Sequence, residues 1–178
     1  MSRTAPVTLD AAWLAANPLP SLDEATDKNS RGRVLVAGGA AHVPGAIRLT
    51  GEAALRAGAG KLQMATLEDA AMVLGMAVPE AAVIALPIDR HGELAKRAVP
   101  LLRKALDRCD TFIIGPGMGD SDKAAVIVEA LLDSPRDGLS VVIDAAAIAC
   151  ASRLNEMLCR HAGRLVLTPH HGEMAALT

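Results

Sequence analysis

Aromatic residues are nearly missing from this chain, which has one Phe (Phe112), one Trp (Trp13) and no Tyr among 178 residues. Its composition is still 51% hydrophobic, so the core must be built from Ala, Val, Leu, Ile and Met, which suits tightly packed helix-on-sheet layers. Charge bias is missing too. The net charge is -2, and without a basic stripe or stacking platforms no nucleic-acid or anionic-membrane partner is expected. The cysteines, Cys109, Cys150 and Cys159, are odd in number and show no CxxC spacing. That excludes a disulfide frame and a zinc site, and they are expected as reduced thiols in a cytosolic core. Long apolar runs are absent, so no membrane-spanning helix is expected. The first residues carry Arg3 and a short apolar patch but no continuous signal-peptide core. The expectation is a soluble, cytoplasmic, single-domain protein.

What is present is a regular alternation. A short apolar, β-branched run at 33–38 and further short runs at 61–66, 81–87, 111–115, 139–144 and 163–168 predict strands. Helical spacing predicts helices over 44–57, 93–107, 121–133 and 145–161, with another starting at 170. Ser121 or Asp120 would cap the third of these. Strand and helix in turn are the pattern of a parallel sheet covered on both faces, a three-layer α/β/α fold. Residues 1–30 form a separate arm, with a helix over 8–16 and then a turn-rich stretch; the domain proper would run over 31–178.

Ligands of open parallel sheets bind beyond the carboxyl ends of the strands, and four of these ends are unusual. The first strand leads into GGAAHVPGA (38–46), a glycine turn opening a helix with Pro44 near its start. Such a start attracts anions, although the stretch is neither GxGxxG nor a Walker loop, and a plain tight turn explains it as well. The fourth strand breaks into GPGMG (115–119), where Gly117 and Gly119 leave room for close backbone approach. The fifth ends at Asp144, an acid that must either face a cleft, where it can hold a hydroxyl or hydrated cation, or cap a helix. The sixth runs into LTPHHGE (167–173). There an imidazole can donate to an anion or carbonyl, and Glu173 suits the first turn of a helix. Adjacent histidines point about 100° apart on a helix, unlike the paired ligands of a zinc protease, so no metal site is expected.

In their order, KNSRGRVLVAGGAAHVPGAIRLTGEAALRAGAGKLQMAT, FIIGPGMG, VVIDAAAIA and LTPHHGEMAAL resemble the ADP/ATP-dependent NAD(P)H-hydrate dehydratases, a branch of the ribokinase-like superfamily. The resemblance covers about 28–178 and implies a ribokinase-like fold. It also implies repair of NADH or NADPH that has taken up water on the nicotinamide ring. ADP or ATP, with Mg2+, would phosphorylate the ring hydroxyl, and phosphate would then leave. By the same resemblance Gly45 and Ala46 would contact the hydrated nucleotide, Gly117 and Gly119 its phosphates or ring, and His170 would hold it while Glu173 orders that turn. Asp144 would belong to the substrate site.

Three departures accompany the resemblance. Val43 stands where the family usually has an aromatic residue, and Asp144-Ala145-Ala146 replaces Asp-Ala-Asp. The family also continues into a GxGD-type loop that binds adenine nucleotide and supplies the general base. That loop is expected to be missing here, which leaves no catalytic residue in this chain and a site completed elsewhere. A homo-oligomer or a partner covering the exposed sheet edge is the expectation. A small-molecule kinase of the same superfamily, acting on a sugar or vitamin precursor, is the alternative, as is a non-catalytic nucleotide-binding fragment.

Overall fold

The computed structural model describes residues 7–18 and 27–177; parts of the N-terminal arm, at 1–6 and 19–26, lie outside the described residues. Six strands form the sheet: β1 (Arg33–Ala37), β2 (Lys61–Leu67), β3 (Ala81–Leu86), β4 (Thr111–Ile114), β5 (Ser140–Ile143) and β6 (Leu165–Leu167). All pairings are parallel, and the order is β3-β2-β1-β4-β5-β6. The chain starts in the middle, winds outward to β3, then returns beside β1 as β4 and winds the other way. The point where the winding reverses lies between β1 and β4, where doubly wound sheets open a crevice at their carboxyl ends.

The helices are α1 (Ala11–Ala16), α2 (Ala46–Arg56), α3 (Glu68–Ala77), α4 (Val99–Leu106), α5 (Ser121–Leu132), α6 (Ala146–Ala149), α7 (Asn155–Cys159) and α8 (His171–Leu177). Side chains alternate across the strands. Leu35, Ala37, Phe112 and Ile114 therefore pack with α4, α5, α6 and α7 in the larger core. Val36, Met64 and Leu62 face the other way onto Ile47 of α2 and Leu74 of α3. The three-layer α/β/α expectation holds.

Four expectations need correction. The stretch between β2 and β3 had no predicted helix, yet α3 fills it, opened by Glu68 and Asp69 in its first turn. Its outer face carries exposed Met72, Val73 and Met76, so no clean polar face marks it in the sequence. The helix expected over 93–107 begins only with a 3-10 turn at Lys96–Ala98, with Pro100 in the first turn of α4. The helix expected over 145–161 is two short helices, broken at 150–154 where Ser152 stands; serine favours turns over helix interiors. Finally, Cys109 and Cys150 are buried but Cys159 is exposed, so it is not a core thiol.

Candidate functional site

The first two corners meet at the reversal of winding. The Gly39 amide donates to the Pro116 carbonyl (2.8 Å), just after Gly38 donates to Ala65 of β2 (3.1 Å). Gly39 and Gly117 both have positive φ, at 90° and 73°, which glycine adopts without strain. Gly117 lies so close to the first corner that a Cβ on it would stand 2.6 Å from the Val43 carbonyl oxygen and 3.1 Å from Ala46. Its bareness thus serves contact between the two corners. Gly45 differs: it has φ -82° and nothing within 4 Å of where a Cβ would be. The fold therefore does not require glycine there. Beside it, a groove of about 600 Å³ opens between α2 and α3, lined by Pro44, Gly45, Arg48, Leu67, Ala70 and Val73 among others. Val43, in the same turn, is half exposed.

The second corner also touches the third. A Cβ on Gly115 would stand 1.8 Å from the Asp144 carbonyl oxygen. Asp144 does not cap α6. That helix starts from Ala145, which has no side-chain cap and lies at φ 49°, ψ -130°, a strained conformation for a residue with a Cβ. The turn is closed by the Ala147 amide on the Asp144 carbonyl (3.2 Å). The Asp144 carboxylate instead accepts the Thr168 hydroxyl (2.7 Å), which ties the third corner to the fourth.

In the fourth corner His170 caps α8. Its Nδ1 accepts the amides of Gly172 (3.0 Å) and Glu173 (3.3 Å), and Glu173 Oε2 accepts the His170 amide in return (2.8 Å). This is a capping box with histidine in the cap position. Because Nδ1 is an acceptor, a neutral ring carries its proton on Nε2, which lies 3.5 Å from Glu173 Oε1. The imidazole is largely exposed. Gly45, Gly119 and His170 are thus exposed and Ala46, Gly117, Asp144 and Glu173 half-buried, all at the carboxyl edge and linked corner to corner.

Two further features belong to this edge. The sequence does contain the letters Gly-x-Gly-Asp, as Gly117-Met118-Gly119-Asp120, contrary to the expectation that the pattern is missing. Asp120 Oδ1 accepts the amides of Asp122 (2.9 Å) and Lys123 (3.1 Å), so this carboxylate caps α5. Residues 87–95, of which only 93–95 fall within the helix expected over 93–107, form a strap across the edge. Asp89 on this strap pairs with Lys123 (2.5 Å). Donation from the Lys123 ammonium outweighs burial, and the Glu93 and His91 amides add to it, holding the Asp89 carboxyl well below the usual carboxylate range.

Residues 34–178 match the family model described as NAD(P)H-hydrate dehydratase, which settles the family. This chain belongs to the NAD(P)H-hydrate dehydratase family. It is 46% identical over 170 residues to the ADP-dependent (S)-NAD(P)H-hydrate dehydratase of Xanthomonas campestris pv. campestris, covering 96% of this chain and 55% of that protein. Among solved structures, a ribokinase-like superfamily protein of Enterococcus faecalis superposes with TM-score 0.73 at 27% identity, over 88% of this chain and 51% of that one. The ADP/ATP-dependent NAD(P)H-hydrate dehydratase of Bacillus subtilis, co-crystallized with ATP/Mg2+, gives TM-score 0.66 at 27% identity, over 90% of this chain and 52% of that one. The chain spans about half the length of these relatives. The fold is the ribokinase-like one that the motifs imply.

Proposed function

We propose that the four linked corners form the nicotinamide-nucleotide side of a hydrate-repair site, acting on NADH or NADPH hydrated on the ring, in the cytoplasm. The supporting observation is their continuity: Gly39 to Pro116, Gly115 against Asp144 and Thr168 to Asp144 join every corner that carries the resemblance. The open space at Gly45 supports a ligand-facing role there, and the groove beside it offers room for part of a nucleotide. His170 can donate from Nε2 to a nucleotide oxygen while Nδ1 remains committed to the helix. Glu173 orders that turn, and Gly117 and Gly119 line the approach.

The chemistry proposed for the repair is phosphoryl transfer from ADP or ATP to the ring hydroxyl, followed by loss of phosphate with the neighbouring proton to restore the ring double bond. Phosphate leaves far more readily than hydroxide. None of the described residues is assigned as the base, and the acids at this edge are already engaged. Asp144 accepts from Thr168, while Asp120 and Glu173 cap helices. Among the described residues no group of three or more His, Cys, Asp or Glu could hold a metal ion, so Mg2+ would travel with the nucleotide phosphates. We also propose a homo-oligomer, because Leu49, Met72, Val73 and Met76 are exposed on the α2–α3 face and Val166 on the β6 edge.

The test is incubation of the chain with hydrated NADPH, ADP and Mg2+ while following recovery of the dihydronicotinamide absorbance. ADP-dependent recovery supports the reading; no recovery together with no NADPH binding would overturn it. The small-molecule kinase alternative has no observation of its own in this structure, and the repair reading is the one the relatives' names support.

A further inference from the structure

We propose that Glu93, on the strap at 87–95, is a positioning residue that fixes the GPGMG corner for its ligand; the inference rests on the reading of that corner as part of the nucleotide site. Glu93 is 8% exposed, one of the few buried charged or polar side chains among the described residues. Its Oε2 accepts the Gly119 amide at 3.3 Å, and a Cβ on Gly119 would stand 2.7 Å from Oε1. No other described group donates to the carboxylate, and the nearby ammonium of Lys123 is paired with Asp89. A buried carboxylate with one long hydrogen bond contributes little to stability, because desolvating the charge costs more than that bond returns. Its placement makes physical sense as orientation of the loop.

The strap is built to hold Glu93 there. The Asp89 side chain accepts the amides of His91 (2.8 Å) and Glu93 (3.1 Å), and the Asp89 amide donates to the Glu93 carbonyl (2.9 Å). Gly92 has φ 78° and accepts the Ala41 amide on its carbonyl (2.9 Å). One short segment thus grips the first corner through Gly92, the second through Glu93 and α5 through Asp89. With its N–H taken by Glu93, Gly119 is not free to bind phosphate. Glu93 thereby sets both the shape of the loop and which of its amides face a ligand.

The experiment compares the full chain with Glu93→Gln and Glu93→Ala, measuring NADPH affinity by calorimetry and Gly119 amide exchange by NMR. The carboxamide oxygen of the Gln variant can still accept the Gly119 amide. It should keep NADPH affinity within about threefold of wild type, whereas the Ala variant should lose about tenfold in affinity and in Gly119 protection. An Ala variant that binds NADPH like wild type, or a Gln variant as weak as Ala, would overturn the proposal. If Glu93→Ala does not fold, the wild-type chain decides: an unprotected Gly119 amide overturns the proposal. A wild-type chain that binds no NADPH contradicts the functional reading instead. Protection of Gly119 that depends on the Glu93 side chain then still decides whether the strap fixes the loop.

Discussion

Gly38 packs its α-carbon so close to Pro116 that a methyl group on it would stand 2.2 Å from the Pro116 carbonyl oxygen. The neighbouring Gly39 amide bonds that same oxygen. Contact between the first and second corners is therefore part of the fold itself, at the centre of the sheet. Gly38→Ala should push the two backbones apart and destabilise the chain by about 2 kcal/mol or more, seen as a lowered urea midpoint. An unchanged midpoint would mean that the corners are not in contact.

His170 separates capping from recognition. Asparagine is at least as good a helix cap, so His170→Asn should leave stability within about 0.5 kcal/mol of wild type. It should nevertheless weaken NADPH binding about tenfold, since the Nε2 donor is lost. Equal losses in both would make the histidine a cap alone.

Acid should loosen the strap. Asp89 has a folded-state pKa held low by Lys123, so its contribution to stability is fully present above the ordinary carboxylate value. It is lost as pH falls below about 4 toward the folded-state pKa. Stability of Asp89→Asn should therefore fall less steeply than that of wild type on acidification. The check is a pair of urea titrations at pH values above and below that point. Parallel curves would contradict the pairing.

Only one thiol should react in the native chain. Burial pushes Cys109 up to about 11 and raises Cys150, while Cys159 is exposed. A disulfide reagent should label Cys159 alone until denaturant exposes the others. Rapid labelling of two or three thiols in native buffer would contradict the burial.

The six strands were legible in the sequence because each is a compact, largely apolar run that stops at or just before a glycine, proline or acid. The four corners were legible for the same reason. The strap was not. Leu94, Ala98 and Leu102 lie at helical spacing, yet residues 87–95 are held by Gly92 to Ala41, Asp89 to Lys123 and Glu93 to Gly119, long-range contacts that no local pattern carries. At the break over 150–154, Ser152 is one weak local signal within a run of otherwise helical spacing, and Arg153 adds a contact to the Asp122 carboxylate (2.7 Å) that is invisible in one dimension. Glu93 carries no mark in the sequence, because a single acid within helical spacing resembles a solvated position. Its burial against Gly119 exists only once the sheet has brought β3 and β4 to the same edge.

The most direct test of the account is a calorimetric titration of wild type and Gly45→Ala with NADPH, alongside thermal unfolding of both. Open space stands where the new methyl group would go, so the substitution should leave the melting temperature unchanged or slightly raised. The account predicts saturable NADPH binding by wild type and at least about tenfold weaker binding by the variant. Equal binding by the two, or no NADPH binding by a folded wild-type chain, would contradict the claim that these corners hold a nicotinamide nucleotide.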